Sequence, residues 1–302
     1  MMPEATMRVF LYSPHPDDEL LSMGLAIVYY LANGVDVHLV SMNNGGAIGV
    51  ANTLNGATGC SVPADHPYTH SPTREGYPTL TVADIAAARI LEARSTLGAM
   101  AMVPPSTATA GSITHHVADL PDGFGGPAHN PPTAQGVVLA KGIIKSFVDT
   151  YPNSFHYTMT DAEALDGMAS DGGPGHPDHA ACGCALRELK QSTALAPGMG
   201  GLTYAQALTG ARFFVSRLYW ATSRPDTKYP APLLDVANGT LQWFNTGSRY
   251  ADYCNWIRGQ VLKPYKAWNP AAGAYGVGWH QVPSQFNSNF GTGVSIANLW
   301  HA

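Results

Sequence analysis

The chain has 302 residues, of which 45% are hydrophobic, and a formal net charge of -5 from 21 acidic and 16 basic side chains. Charged residues make up only 12%, against roughly a quarter in average proteins, so disorder through charge excess is excluded. No run of Lys or Arg exists to meet phosphates, which argues against nucleic acid and against electrostatic attachment to a membrane, and no apolar run approaches the roughly 20 residues that span a bilayer.

In chain order, Met7–Ser13 reads as a buried strand and Leu20–Leu31 as a helix, stopped by Asn33-Gly34. Val35–Met42 is a second strand, so the three form a β-α-β unit with a right-handed crossover. Residues 43–79 read as a long loop rich in Gly, Pro, Asn and His. A helix is expected over Val82–Leu97, a loop-rich stretch over 104–132, and a helix over Ala134–Val148. Ser154–Thr160 reads as a strand, Pro177–Lys190 as a helix, Ala211–Thr222 as a strand and Arg249–Leu262 as a helix. Strands alternating with helices give an α/β class: a Rossmann-like, mainly parallel sheet with helices on both faces. The division expected is a core over residues 7–195 and a less regular C-terminal cap region over 196–302. Residues 1–6 lack the basic and apolar regions of a signal peptide, so the cytoplasm is the expected location. The cysteines Cys60, Cys182, Cys184 and Cys254 are too few at this length for a disulfide framework and are expected to be free thiols.

The chemistry concentrates in two segments. His15-Pro16-Asp17-Asp18-Glu19 stands where the first strand gives way to the first helix, the edge at which open α/β sheets bind ligands. Helix capping accounts for acids there but not for the histidine before them. His15 and Asp18, three apart on such a turn, suit one ion, with Asp17 aimed elsewhere. Gly175-His176-Pro177-Asp178-His179 opens another helix after another strand, behind the run Gly172-Gly173-Pro174-Gly175. Together the two segments supply one carboxylate and two imidazoles, a ligand set of catalytic zinc, which has three protein ligands and an open position.

A Pro-His-Pro-Asp-Asp-Glu segment after strand one, paired with a distant His-Pro-Asp-His, resembles the zinc-dependent N-acetylglucosamine deacetylases, the PIG-L/LmbE-like family. The resemblance covers roughly Met7 to Lys190. It implies zinc held by His15, Asp18 and His179, Asp17 as general base, and His176 as stabiliser of the tetrahedral intermediate or as acid. Asp178 is assigned by its role as an orienter of a ligand histidine. Amide hydrolysis needs a nucleophile at neutral pH, which zinc provides by lowering the pKa of water to about 7, and Asp17 is placed to take the proton. Ferrous iron (Fe2+) fits the same ligands as Zn2+.

The Tyr12-Ser13-Pro14 lead-in, the glycine-bearing second motif and the aromatic tail resemble the branch of the family that deacetylates glycopeptide antibiotic pseudoaglycones of the teicoplanin type. The expected substrate is therefore an N-acetylglucosaminyl group on a glycopeptide, with a small thiol-sugar or another N-acetylglucosamine conjugate as the alternative. The family's Gly-Glu after strand two is replaced by Asn43-Asn44-Gly45-Gly46, Arg89 and Glu92 fall outside its usual register, and Pro174 stands where the mycothiol enzyme has tyrosine. Trp279 and His280 are expected to contact substrate, on a lid formed by residues 273–289. His115, His116 and Asp119 are expected in a solvent-facing loop. A non-haem iron oxygenase and a non-catalytic glycopeptide-binding protein are the rival readings. No G-x-x-x-x-G-K-[ST] loop or G-x-S-x-G elbow is present.

Overall fold

A computed structural model of the chain describes residues 7–46, 49–60, 69–127, 130–160, 176–215, 242–243, 246–291 and 299–301. In strand β1 (Arg8–Ser13) alternate side chains serve two cores. Val9 and Leu11 join one apolar cluster, and Phe10 and Tyr12 join the other. This is the period-two alternation of a strand buried on both faces, which is how a central parallel strand reads. The chain continues through α1 (Asp18–Leu21), α2 (Gly24–Ala32), β2 (Asp36–Asn43), α3 (Val50–Leu54), α4 (Pro72–Glu75) and α5 (Val82–Ala101). Next come β3 (Ile113–Leu120), α6 (Ala134–Thr150), β4 (Ser154–Met159), α7 (Pro177–Lys190), α8 (Tyr204–Ala207), β5 (Arg212–Val215) and β6 (Gln242–Trp243). The last described part holds α9 (Tyr250–Trp256), running into a π-helical turn (Ile257–Val261), then α10 (Lys263–Lys266), β7 (Trp268–Asn269) and β8 (Ala274–Tyr275). It closes with α11 (Val277–Gln281), α12 (Pro283–Phe290) and β9 (Leu299–His301).

The main sheet has the order β3-β2-β1-β4-β5-β9-β6. The first five strands are parallel, and β9 runs antiparallel to both of its neighbours. Helices α2 and α5 pack through Leu25, Ile27, Leu31, Leu97 and Met100 on the face of Val9, Leu11, Val37 and Leu39. Helices α6 and α7 cover the opposite face through Ala140, Ile144, Ala181, Ala185 and Leu186. Each such Leu, Ile, Val or Met side chain contributes about 1.5–3 kcal/mol on full burial. The sheet and its two helical layers are the class read from the sequence.

Several local expectations are corrected. The single helix over Leu20–Leu31 is two, because the chain leaves helical bonding around Ser22 and Met23, where Asn289 Nδ2 donates to Leu21 O. Two short helices, α3 and α4, interrupt the loop expected over 43–79. The stretch over 104–132 contains the edge strand β3, whose half-buried residues lack a strong apolar alternation. His115 and His116 are therefore strand residues, bonded to Ser41 and His38 of β2 at 2.9 and 3.0 Å. Residues 273–289, expected as a lid, fold into β8, α11 and α12. Trp279 and His280 are each only 4% exposed, with Trp279 packed on Phe286 at 5.5 Å and capped by Lys266 Nζ at 3.6 Å. The run Gly172–Gly175 and the end of the strand expected over Ala211–Thr222 lie outside the described residues. Among the described residues, no helix is long and apolar enough to cross a membrane. Cys60, Cys182, Cys184 and Cys254 form no disulfide.

The sheet also carries a titration signature. His156 lies buried between Tyr12 Oη and Ser154 Oγ, both at 2.8 Å, and burial pushes its pKa down to about 3. The unfolded chain binds a proton near pH 6.5 that the native chain refuses, so the sign is a loss of stability as pH falls below 6.5. The expected slope is about 1.4 kcal/mol per pH unit down to about pH 3. Urea titrations of the wild type and of His156→Gln between pH 7 and 4 check this, and the variant is expected to lose one proton's worth of slope.

Candidate metal centre

The sheet order creates the site. From β1 the chain moves outward to β2 and β3, whereas β4 and β5 extend in the other direction. Neighbouring β1 and β4 thus flank the switch point where α/β sheets open a crevice at their carboxyl ends. His15, Asp17 and Asp18 leave β1 into α1, and His176, Asp178 and His179 open α7 after β4. Residues 161 positions apart, His15 and His176, come to lie with ring centroids 4.3 Å apart.

At the centre three atoms converge. His15 Nδ1 is 3.2 Å from Asp18 Oδ2 and 3.1 Å from His179 Nε2, and His179 Nε2 is 3.1 Å from Asp18 Oδ2. Ligands about 2.0–2.2 Å from one divalent ion stand roughly 3–3.5 Å from each other, so this triangle fits such an ion. The other edge of His15 is fixed: Nε2 lies 3.1 Å from Asp178 Oδ2. That carboxylate also accepts from Asn43 Nδ2 (3.1 Å), Gly123 N (3.0 Å) and Gly125 N (2.6 Å). A carboxylate saturated with donors takes the His15 Nε2 proton as donor too, leaving the Nδ1 lone pair facing Asp18 and His179. Gly125 permits this approach, since a Cβ there would stand 2.3 Å from Pro177 O.

The centre is built to receive positive charge. Burial opposes protonation of His15, but Asp178 and Asp18 outweigh it and raise its pKa to about 9. Burial likewise penalises the Asp18 carboxylate, yet His179 and His15 hold it well below the usual range. His176 caps α7, its Nδ1 accepting from Asp178 N at 3.3 Å, so its neutral form carries the proton on Nε2. Burial and the neighbouring His15 and His179 push its pKa down.

Asp17 turns away from the triangle to Arg89 Nη2, at 2.7 Å. Burial pushes its carboxyl up, and Arg89 opposes that. Arg89 also donates to Pro16 O (2.9 Å) and Gly45 O (3.3 Å). Gly45 has φ 65, and a Cβ there would lie 2.5 Å from Arg89 Nη1, so the glycine just after β2 makes room for the guanidinium. One turn along α5, Glu92 accepts from Val277 N (2.5 Å) and Gly278 N (3.0 Å) at the start of α11. Glu19, buried on α1, accepts from Tyr265 Oη. Arg89, Glu92, Glu19, Asn43 and Tyr265 are residues of this region that the motifs alone did not assign. A signal for Arg89 and Glu92 existed: both are charged residues on the buried stripe of α5, between Ile85, Ala88, Ala93 and Leu97, where a charge requires a partner. Trp279 and His280 pack elsewhere, His280 against His70 and Trp268.

Residues 10–190 match the family model PIG-L, GlcNAc-PI de-N-acetylase. The chain belongs to this family. The family is one of metal-dependent de-N-acetylases, and the match spans β1 through α7, hence both motifs. Among solved structures, the chain is similar to GalB, the 4-carboxy-2-hydroxymuconate hydratase of Pseudomonas putida KT2440, with 14% identity and a TM-score of 0.52 over 98% of this chain and 95% of that one. It is also similar to a triple mutant of a deacetylase involved in teicoplanin biosynthesis, with 14% identity and a TM-score of 0.50 over 98% and 97%. N,N'-diacetylchitobiose deacetylase from Pyrococcus horikoshii aligns at 14% identity and a TM-score of 0.49 over 98% and 84%. At 14% identity the likeness to the hydratase and to the teicoplanin-pathway deacetylase speaks for the fold alone. Among curated proteins the chain has no match.

Proposed function

We propose that the chain hydrolyses the N-acetyl group of an N-acetylglucosaminyl substrate with a divalent ion held by His15, Asp18 and His179. The observation that carries this is the triangle of His15 Nδ1, Asp18 Oδ2 and His179 Nε2, with edges of 3.1–3.2 Å, beside the buried Asp17 carboxylate. The ligand set suits zinc, and ferrous iron fits the same three donors. When bound, the ion supplies a Lewis acid that acidifies water and polarises the amide carbonyl.

The remaining chemistry belongs to side chains of this chain. Asp178 holds the His15 Nε2 proton and thereby keeps Nδ1 available as a ligand. Asp17 takes a proton from the attacking water at its carboxylate and is the group that returns one to the departing sugar amine. Arg89, paired with Asp17 at 2.7 Å, favours the ionised carboxylate and opposes the upward push of burial on its pKa. His176 directs its Nε2–H at the oxygen that gains charge as the amide carbon becomes tetrahedral.

For the acceptor, the reading is a glycopeptide pseudoaglycone bearing N-acetylglucosamine. Its support is the resemblance of the motif surroundings to that branch, together with a fold shared with a deacetylase of teicoplanin biosynthesis. Pro174 in the place of the mycothiol enzyme's tyrosine, together with Asn43-Asn44-Gly45-Gly46 in the place of the family's Gly-Glu, speaks against a small thiol-sugar. Metal-loaded protein is to be incubated with a glycopeptide pseudoaglycone, free N-acetylglucosamine and an N-acetylglucosaminyl thiol conjugate, and the loss of acetyl mass followed. The expected result is loss from the glycopeptide at a kcat/KM at least about tenfold above the others, equivalent to about 1.4 kcal/mol of selective transition-state binding. Loss from a small sugar alone would keep the chemistry and discard the acceptor.

A further inference from the structure

A second cluster of metal-ligating side chains stands outside the centre just described. Cys60, His70 and His280 each offer a ligand atom, and these atoms lie within 4.8 Å of one another. Cys60 follows α3, His70 precedes α4 and His280 lies on α11, so the cluster joins segments 210 residues apart, with His70 Nε2 and His280 Nε2 separated by 3.2 Å.

The protons of the two imidazoles are assigned by their other edges. His70 Nδ1 lies 3.1 Å from Glu75 Oε2, and Glu75 is held in turn by Ser71 N on its second oxygen at 2.9 Å. His280 Nδ1 lies 2.7 Å from Gly276 O, a carbonyl that only accepts. In the neutral rings both Nδ1 atoms therefore donate, and both Nε2 atoms face each other as lone pairs. Two lone pairs at 3.2 Å need a positive charge between them. The carboxylate behind His70 and the carbonyl behind His280 are the outer partners that metal-ligating histidines use to fix their tautomer. Both imidazoles are buried, and Trp268 stacks on His70 with centroids 4.7 Å apart, which gives the cluster an aromatic wall. A thiol as third donor selects a borderline-soft ion over magnesium or calcium.

We propose that Cys60 Sγ, His70 Nε2 and His280 Nε2 bind a second transition-metal ion of the zinc class. Binding releases the thiol proton of Cys60 to solvent and leaves both histidines neutral. The ion ties α11 to the segments around α3 and α4. Helix α11 in turn rests on Glu92 of α5 through Val277 N and Gly278 N, and the same helix carries Arg89 to Asp17. The second ion thus braces a wall of the first centre without belonging to it.

Cobalt(II) distinguishes the two sites, because only this one contains sulfur. The full chain is to be stripped of metal, loaded with cobalt(II), and its absorption and cobalt content measured for the wild type, Cys60→Ser and Asp18→Asn. The wild type is expected to bind two ions per chain and to show a near-ultraviolet thiolate-to-cobalt charge-transfer band. Cys60→Ser is expected to lose that band and one ion, whereas Asp18→Asn keeps the band. Asp18→Asn tests the first centre separately, so failure of either assignment is read independently of the other. A wild-type protein without the band, or a band that survives Cys60→Ser, would overturn the proposal and leave a proton bridging the His70–His280 pair.

Discussion

Asp17→Asn is expected to lower kcat by about 10²- to 10⁴-fold while leaving metal binding unchanged, the range for loss of a positioned general base. The separation follows from the geometry. Asp17 points to Arg89 rather than into the His15–Asp18–His179 triangle, so its charge is not among the three donors that face one another there. Asparagine keeps an acceptor oxygen for Arg89 but does not take a proton. Steady-state kinetics and metal content, measured on the same preparation with its circular dichroism checked against the wild type, test this. Near-wild-type kcat in a metal-replete variant would remove Asp17 from the mechanism.

His179→Ala is expected to act on the metal first and on turnover only through it. Changes to outer partners of a metal site lower affinity by about 10- to 100-fold, and loss of one of only three donors is expected to exceed about 100-fold. The fold should hold, because the other two donors keep their own supports. Asp178 still braces His15, and His15 N still donates to Asp18 Oδ2 at 3.0 Å. Titration with zinc against a competing chelator measures the change, and rate is expected to return in part at high zinc. A variant that retains stoichiometric zinc at wild-type affinity would displace His179 from the ligand set.

The core of the site was legible because its information is local. His15 to Glu19 and His176 to His179 are short runs at strand-to-helix transitions, and a parallel sheet puts all such transitions on one edge. Partners supplied across the fold were not legible in the same way. Gly123 and Gly125 meet Asp178 from the connection after β3, and Arg89 reaches Asp17 from the middle of α5. The strand β3 was hidden because an edge strand is only half-buried and its His115, His116 and Asp119 break the apolar alternation. The aromatic tail misled for the opposite reason. Trp279 has the composition of a sugar-stacking residue, yet its position opposite Phe286 makes it core, and sequence alone does not show which neighbour a tryptophan finds. The Cys60–His70–His280 cluster follows no spacing rule, since its three members meet only after α11 has packed against α5 and α3.

The central claim is metal-dependent hydrolysis of an N-acetyl group at the His15–Asp18–His179 centre. Acetate formed in ¹⁸O-labelled water tests it most directly, with metal-loaded and chelator-stripped protein acting on the N-acetylglucosaminyl substrates side by side. Hydrolysis predicts acetate carrying one solvent oxygen, an equal amount of free amine, and loss of both on stripping with recovery on return of zinc. Acetate release that persists without metal, or water added to the substrate with the acetyl group retained, would contradict it.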